Sequence, residues 1–321
     1  MKLKEIDRKI LTHIYHNRNP SLSKVAKELN ISRDQVDYRI KKYLSEGLIK
    51  KFFTFFNYPA FGYNYLALLY LKFEKSSQIE KFLVKLNENK NVISHGKCFA
   101  KYDVYINVIF KNENEMSKFF FDLLSSEETS LSDYLILKPY LSEFYPLKFI
   151  DSQRNEEGIF SLSEKVQEKK FDEKDIKIMK MLNKNAWERI TNIAYKTKSS
   201  PEQILYRIKR LEKEKVILGT RIQFDLSKLS YFATVFLINL PNLSNTIKSK
   251  LKNFVKSSPN INSFYLSFSK PNCLIQIFHK NEKEMRDTLD KLKETFKDDY
   301  ISIEILPLEE ELEGVNTLPF L

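Results

Sequence analysis

The chain of 321 residues repeats one segment at a fixed distance along its length. Residues 32–41 return as residues 200–209, which lie 168 positions later, and Ser, Gln, Tyr, Arg, Ile and Lys recur in place. Each copy begins with serine and carries glutamine three positions later, the capping box that satisfies free amides at a helix start. The four capping residues are Ser32, Gln35, Ser200 and Gln203. We therefore expect two related halves, each containing this helix.

The repeated helix has one apolar side and one polar, basic side when its residues are placed at about 100° intervals. The apolar stripe, which we expect to be buried, comprises Val36, Ile40, Tyr43 and Leu44 in the first copy and Ile204, Ile208 and Leu211 in the second. The residues expected to face outward are Asp34, Tyr38, Lys41, Lys42 and Ser45, then Glu202, Tyr206, Lys209, Arg210 and Lys213, and Arg33 lies near the helix start. Arg39 and Arg207 lie at the edge of the stripe.

Shorter helical patterns precede the repeated helix. Apolar residues follow helical spacing from Ile6 to Ile14, a second short helix is predicted from Ser21, and residues 29–31 form a tight turn. Three helices within about 45 residues, the last one capped, are typical of a helix-turn-helix module. Gly47 follows the third helix, where a left-handed residue is expected, and residues 48–56 are predicted as a strand.

The region after each module predicts a strand-helix-strand-strand-helix-strand order. In the first half, strands are predicted at residues 63–74, 92–98, 102–110 and 133–144, and helices at residues 77–87 and 113–124. This is the order of a ferredoxin-like domain, in which two helices cover one face of a four-stranded sheet. We expect the open face to pair with a second such sheet. Residues 111–116 return as residues 280–285, so the duplication includes this region.

The predicted fold class is therefore α+β, with two helix-turn-helix units alternating with two ferredoxin-like βαββαβ domains. The predicted boundaries are 1–56 for the first helix-turn-helix domain, 57–146 for the first ferredoxin-like domain, 147–170 for a linker, 171–225 for the second helix-turn-helix domain, 226–310 for the second ferredoxin-like domain and 311–321 for a tail.

Positive charge is concentrated in the two helix-turn-helix segments. Residues 1–52 carry 13 Lys/Arg against 6 Asp/Glu, and residues 170–222 carry 14 against 7. Each segment is therefore +7, whereas the whole chain is only +11. A basic module beside a neutral or acidic domain indicates a polyanionic partner such as nucleic acid. The predicted DNA-contacting residues are Ser32, Arg33, Gln35, Tyr38, Arg39, Lys41, Lys42, Ser200, Gln203, Tyr206, Arg207, Lys209 and Arg210.

Two alternatives stay open for these side chains. The exposed Tyr38 and Lys41 could form an ordinary solvated helix face, and duplication alone would copy them. Arg39 and Arg207 could each bind a DNA phosphate or an acidic residue of their own module.

The motif residues of the first half are Asp7, Ile10 and Leu11 at the start, residues 26–32 in the turn, Val36, Arg39 and Ile40 in the third helix, and residues 47–49 after it. This pattern resembles the Lrp/AsnC (feast/famine) transcription regulators, whose helix-turn-helix domain is followed by a ferredoxin-like effector-binding and oligomerisation domain. The resemblance implies a sequence-specific regulator that binds double-stranded DNA. It also implies a small-molecule effector such as an amino acid.

The expected effector site is the turn between the second and third strands of the ferredoxin-like domain. The family usually carries Gly-x-Tyr-Asp there, whereas this chain has Ala100-Lys101-Tyr102-Asp103 in the first half and residues 269–272 without Tyr or Asp in the second. Lys101, Tyr102 and Asp103 are the candidates, because an ammonium and a carboxylate could pair with both ends of an amino acid. An ordinary solvated β-turn is the alternative.

Other kinds of site find little support in the sequence. The four histidines, His13, His16, His95 and His279, are not spaced with Cys or carboxylates as metal ligands, so neither a metal nor a cofactor is predicted. The 6 glycines form no phosphate-binding loop, and no nucleophile motif occurs, so an enzyme is not predicted. One alternative is a ligand-sensing or scaffold protein whose helix-turn-helix units bind proteins. A second is implied only by the resemblance, since some Lrp-like two-domain proteins are sirohaem decarboxylases; its site would be His95 or His279 with Tyr102.

A single chain with two copies is expected to act as an intramolecular pseudo-dimer. Single-copy relatives need two chains to cover their sheets and to read two half-sites. Because the copies differ, the operator is expected to be an imperfect palindrome, and further assembly through sheet edges is implied by the resemblance. The two cysteines, the lack of a long apolar run and the charged start of the chain predict a cytoplasmic protein without a membrane partner.

Overall fold

The computed structural model describes residues 3–16, 22–126, 129–145, 147–148, 150, 160–161, 166–309 and 314–321. These residues fall into two compact units. The helical unit lies within Met1–Gly62, Val166–Leu229 and Phe320–Leu321, and the sheet unit lies within Tyr63–Lys165 and Ser230–Pro319. Each unit therefore combines corresponding parts of the two halves of the sequence.

The elements of the first half alternate between the two units. They are α1 (Glu5–His16), α2 (Leu22–Leu29), α3 (Arg33–Ser45), β1 (Ile49–Phe56), β2 (Tyr65–Phe73), α4 (Ile79–Leu86), β3 (Val92–Lys97), β4 (Val104–Phe110), α5 (Glu113–Leu124), β5 (Leu131–Leu137), β6 (Pro139–Phe144) and β7 (Phe160–Ser161). The start of the second helix predicted at Ser21 lies outside the described residues.

The second half repeats the same order. Its elements are α6 (Glu173–Lys184), α7 (Ile190–Thr197), α8 (Pro201–Lys213), β8 (Ile217–Phe224), β9 (Phe232–Asn239), α9 (Asn245–Ser257), β10 (Ile261–Ser267), β11 (Cys273–His279), α10 (Glu282–Thr295), β12 (Ser302–Leu308) and β13 (Gly314–Val315). Helix-turn-helix modules and βαββαβ domains thus alternate as the sequence predicts.

In the helical unit, the two modules are joined by β1 and β8, which pair in antiparallel fashion. Phe53 is opposite Arg221, its own equivalent 168 residues later. On either side, Phe52 faces Ile222 and Thr54 faces Thr220, so the pairing is unchanged when the two strands exchange roles. The register therefore has a local two-fold axis through the Phe53–Arg221 pair.

Side chains from both modules pack around this ladder. The ring of Trp187, which follows α6, stacks on Phe52 with 4.5 Å between ring centroids and 6° between ring planes. The hydroxyl of Thr54 donates to the carbonyl of Leu182 at 3.0 Å. The guanidinium of Arg221 is buried 5.0 Å from the ring centroid of Tyr15, and burial lowers its pKa. Each module thus supplies part of the packing surface of the other.

The sheet unit contains two ferredoxin-like sheets. The first has the strand order β13-β3-β4-β2-β5, and the second has β12-β9-β11-β10-β6-β7. Each sheet has its own apolar core beneath two helices, around Phe110 and Met116 in the first and Phe264 and Leu251 in the second. On the first sheet, burial raises the pKa of Tyr70, and the nearby Cys98 and Tyr265 side chains add to the rise.

The last strand predicted in the first domain, residues 133–144, is in fact two strands. The segment β5 pairs with β2 in its own sheet, whereas β6 pairs with β10 of the second domain. The break falls at Pro139, which has no N–H to continue the ladder of β5. In return, β13 pairs with β3 of the first domain through Gly314 and Val315. The two domains therefore exchange their last strands, which the sequence periodicity did not predict.

The linker predicted at residues 147–170 lies mostly outside the described residues, which include Phe160–Ser161 as β7 beside β6. The predicted tail, 311–321, contains β13 and ends in the helical unit. The other predicted domain boundaries stay predictions.

Lys148 is a buried cation that caps a helix. Its ammonium group donates to the carbonyls of Val255, Lys256 and Ser258 at 2.7, 2.9 and 2.6 Å, at the end of α9. Carbonyl groups in the last turn of a helix lack an N–H partner within that helix, and a positive charge is favourable at a helix C-terminus. Burial lowers the pKa of Lys148 to about 8, so the side chain is still protonated at pH 7.

Replacing Lys148 by methionine should destabilise the sheet unit by about 2–4 kcal/mol, because three buried carbonyls lose their charged donor. Urea unfolding followed by circular dichroism measures the change. Lys283→Met, at an exposed position of α10, is the matched control and should cost less than about 0.5 kcal/mol. Equal effects of the two substitutions would contradict the capping role.

Candidate nucleic-acid interface

The capped helices α3 and α8 begin as the sequence predicts. The hydroxyl of Ser32 accepts from the amide of Gln35 at 3.1 Å, and the Gln35 side chain accepts from the amide of Ser32 at 3.1 Å. Ser200 and Gln203 repeat both bonds at 3.3 and 3.2 Å. These four residues are therefore already bonded as caps, which fixes where each helix starts.

The helix α3 is held by a buried carboxylate of α1. Asp7 accepts from the guanidinium of Arg39 and from the hydroxyl of Tyr43, the latter at 2.6 Å, and its other oxygen accepts from the amide of Lys4 at 2.9 Å. Burial by itself would raise the pKa of Asp7, but the hydrogen bond from Tyr43, with the amide of Lys4 and the charge of Arg39, holds it below its ordinary value. The carboxylate is therefore ionised at neutral pH.

The helix α8 is held from the equivalent position of α6, with different partners. Arg207 donates to Asp175 at 2.8 Å and to Asp172 at 2.7 Å, and Arg210 also binds Asp175. Asp172 is the N-cap of α6, and the hydrogen bonds that it accepts from the Asp175 amide and Arg207 lower its pKa. Arg39 and Arg207 thus each pair with an acidic residue of their own module, and a contact with DNA phosphate stays a prediction. Arg210, which was predicted to face outward, is half-buried: it binds Asp175 of α6 and keeps 35% of its side chain accessible.

The outer faces of α3 and α8 carry exposed tyrosines. Tyr38 is 67% exposed and Tyr206 is 71% exposed, as predicted for side chains opposite the buried stripe. Leu44 was expected in that stripe and is instead 43% exposed, because it lies at its edge near the helix end. The remaining predicted contacts, Arg33, Lys41, Lys42 and Lys209, are all exposed.

The turn after each capped helix uses a left-handed residue. Gly47 has φ of +66°, as predicted, and Lys215 takes its place in the second module with φ of +55°. A residue with a side chain is disfavoured there by roughly 1–2 kcal/mol. The second module nevertheless keeps the same geometry.

The second module has an open depression beside the start of α8. It has a volume of about 750 Å³ and is lined by Ala194, Tyr195, Lys196, Lys198, Ser199, Ser200 and Gln203. Sequence reasoning singled out the last two but missed Tyr195, Lys196 and Lys198. The sequence could have indicated these three residues. Their equivalents in the first module, at positions 27, 28 and 30, are Lys, Glu and Asn, so the turn of the second module is more basic than that of the first.

The histidines named as enzyme candidates lie in the sheet unit and are buried. His95 on β3 is 2.9 Å from the side-chain oxygen of Asn87, and His279 on β11 is 2.9 Å from the hydroxyl of Thr234. Burial lowers the pKa of both imidazoles.

Across the residues that the structure describes, no group of three or more His, Cys, Asp or Glu side chains could hold a metal ion. Among the described residues, no helix is long and apolar enough to cross a membrane.

Comparison with known proteins identifies the family. Residues 3–50 match the model of winged helix-turn-helix DNA-binding domains. The HTH-type transcriptional regulator FL11 of Pyrococcus furiosus is 30% identical over 128 residues, which are 39% of this chain and 82% of that protein. The chain belongs to the Lrp/AsnC family of transcriptional regulators. Another relative, the HTH-type transcriptional regulator Ptr1 of Methanocaldococcus jannaschii, is 31% identical over 36% of this chain and 78% of its own length.

Two solved structures of one protein match this Lrp/AsnC chain over nearly its whole length. The crystal structure of the siroheme decarboxylase NirDL has a TM-score of 0.62 and covers 99% of this chain and 96% of its own. At 15% sequence identity, this likeness is one of fold. The curated relatives, by contrast, each align with less than half of the chain, as expected when one chain contains two copies.

The turn that binds effectors in the Lrp/AsnC family is occupied by ion pairs here. Lys101 bonds to Glu304 of β12 at 3.0 Å, and Asp103 bonds to Lys72 at 2.7 Å. Tyr102 is buried rather than solvated. Ala100, at the position where the family usually has glycine, keeps a left-handed φ of +76°. The structure thus brings Lys101 and Asp103 to one turn and gives each a partner of opposite charge.

Replacing Asp7 by asparagine should destabilise the helical unit by about 1–3 kcal/mol at pH 7, because Arg39 loses its buried partner. An aspartate whose folded pKa is lowered stabilises the fold above the unfolded value of about 3.9, and this contribution is lost as the pH falls through the folded pKa. The difference between the native chain and Asp7→Asn should therefore shrink below pH 4. Denaturant unfolding across pH measures it, with the exposed Asp34→Asn as control. A pH-independent difference would contradict the ion pair.

Proposed function

We propose that this chain is a sequence-specific regulator that binds double-stranded DNA and inserts α3 and α8 into the major groove. The observation that carries the proposal is the geometry of the helical unit. Two capped helices, each with an exposed tyrosine and lysines, are joined by one two-stranded ladder whose register has a local two-fold axis. Paired helix-turn-helix modules of this kind suit two successive half-sites on DNA.

The charges around the two helices support this partner. Arg33, Lys41, Lys42 and Lys209 are exposed, and Lys41 keeps 73% of its side chain accessible although it pairs with Asp37. Lysine and arginine at such positions neutralise phosphates and release counterions, which gives affinity that falls steeply with salt. Arg39, Arg207 and Arg210 contribute by positioning the helices and keep part of their surface accessible to a phosphate.

We further propose that one chain does the work of a dimer of single-copy relatives. The isologous register of β1 and β8 supports this, and so does the exchange of β6 and β13 between the two ferredoxin-like domains. Because the two modules differ in sequence, the operator is an imperfect palindrome with unequal half-sites. The half-site under Arg33 and Asp34 differs from the half-site under Pro201 and Glu202. Further assembly through sheet edges is part of the same proposal.

Lys41→Ala combined with Lys209→Ala should weaken DNA binding by about 10- to 100-fold near physiological salt and reduce the slope of log K against log salt by about 2. The operator is first selected from random duplex DNA, and affinity is then measured by fluorescence anisotropy between low and physiological salt. Lys118→Ala combined with Lys283→Ala removes the same charge from the sheet unit and should leave the slope unchanged.

Two outcomes would contradict the regulator proposal. If selection enriches no motif, the helix-turn-helix units bind proteins and the chain is a scaffold. If the purified chain carries a bound tetrapyrrole visible in its absorption spectrum and enriches no motif, the sirohaem-decarboxylase-like alternative is favoured.

We also propose that a small molecule modulates binding at the turn of residues 101–103. An amino acid would replace Glu304 as the partner of Lys101 and Lys72 as the partner of Asp103. Isothermal calorimetry against the amino acids should detect at least one that binds, and Asp103→Asn should abolish its heat while the exposed control Asp122→Asn keeps it. Absence of heat from every amino acid would remove the proposal.

A further inference from the structure

One row of outward residues on α3 differs from its counterpart on α8 at three of four positions, and one of these positions adjoins a shared lysine. Residues four apart lie next to one another on a helix and form a row along its surface. In α3 the row is Arg33, Asp37, Lys41 and Ser45, and in α8 it is Pro201, Leu205, Lys209 and Lys213. The lysine is kept, whereas the residue one turn before it changes from Asp37 to Leu205.

In the first module, this position places an acceptor beside a donor. The carboxylate of Asp37 lies 2.6 Å from the ammonium of Lys41, and both side chains are open to solvent, by 40% and 73%. In the major groove a G·C pair shows the O6 and N7 acceptors of guanine beside the N4 amino group of cytosine. A lysine and an aspartate in contact match this pattern, since the ammonium donates to guanine and the carboxylate accepts from cytosine.

In the second module, the same position is apolar. Leu205 is 45% exposed and is followed by the exposed Tyr206, so two apolar surfaces adjoin on the outer side of α8. A leucine offers cytosine no acceptor, and the 5-methyl group of thymine is the apolar feature that a base presents in the major groove. Burying Leu205 against that methyl group removes apolar surface of both molecules from water.

We propose that this one position decides which pyrimidine each half-site requires: Asp37 accepts from the amino group of cytosine, and Leu205 packs on the methyl group of thymine. The inference rests on the proposed DNA binding by α3 and α8 and adds one further pair of residues that makes the two half-sites unequal. The shared Lys41 and Lys209 supply affinity in both modules.

The test starts from the operator selected with the native chain and replaces thymines by deoxyuridine, one at a time. One replacement under α8 should weaken binding at least about five-fold, the factor that ~1 kcal/mol represents. In Leu205→Asp the same deoxyuridine should have no effect, and selection should now enrich cytosine at that place. Asp37→Leu should enrich thymine in the other half-site. Leu205 is exposed and Asp37 is half-buried. Fluorescence of the single tryptophan, Trp187, which stacks on Phe52, checks that each variant keeps the helical unit folded.

The outcomes separate this inference from the function on which it rests. If the native chain binds a defined operator but no thymine is sensitive to loss of its methyl group, the assignment of Leu205 is wrong and DNA binding stands. If Asp37→Leu leaves the selected motif unchanged, the assignment of Asp37 is wrong. If no motif is enriched by the native chain, both the inference and the regulator proposal fall. Glu212→Ala, at an exposed position near the other end of α8 and outside this row, is the matched control and should leave the methyl effect intact.

Discussion

The pairing of β1 with β8 is the constraint on which the helical unit depends. An isolated helix-turn-helix module of about 50 residues buries little apolar surface, and each module here gains a partner through one antiparallel ladder. The ladder lets the ring of Phe52 stack on Trp187 of the other module and lets the hydroxyl of Thr54 donate to the carbonyl of Leu182 in α6. The register of the ladder has a local two-fold axis, and this symmetry is what the proposed reading of two half-sites uses.

Within each module, one carboxylate of the first helix holds the capped helix in place. The residues that this carboxylate binds differ between the two modules. Asp7 holds an arginine and a tyrosine, whereas Asp175 holds two arginines. Both arrangements act on the side of the helix that faces its own module. The outer face can therefore change without loss of orientation, as it does between Asp37 and Leu205.

The local rules of the sequence predicted the parts of the fold that depend on neighbouring residues. Capping boxes, the left-handed residue at Gly47 and the βαββαβ order all follow from spacing along the chain. Contacts between residues far apart in the chain could not be predicted from the sequence. Arg210 was assigned outward because nothing local reveals Asp175, and the bond of Lys101 to Glu304 joins residues 203 positions apart. The split at Pro139 is signalled locally, but the destination of β6 is not.

The pair on the two-fold axis shows how duplication changes what an interface can contain. In a dimer of identical chains, a residue on the axis faces its own copy, so a buried arginine there would bring two like charges together at high cost. In this chain Phe53 and Arg221 are equivalent positions that face each other, and only one of them is charged. The guanidinium of Arg221 then lies near the rings of Tyr15 and Phe55, 5.0 and 6.0 Å from their centroids. Such cation–aromatic contacts partly replace the lost hydration. A chain that contains both halves can adopt this unequal pair, whereas either half pairing with itself would place two phenylalanines or two arginines on the axis.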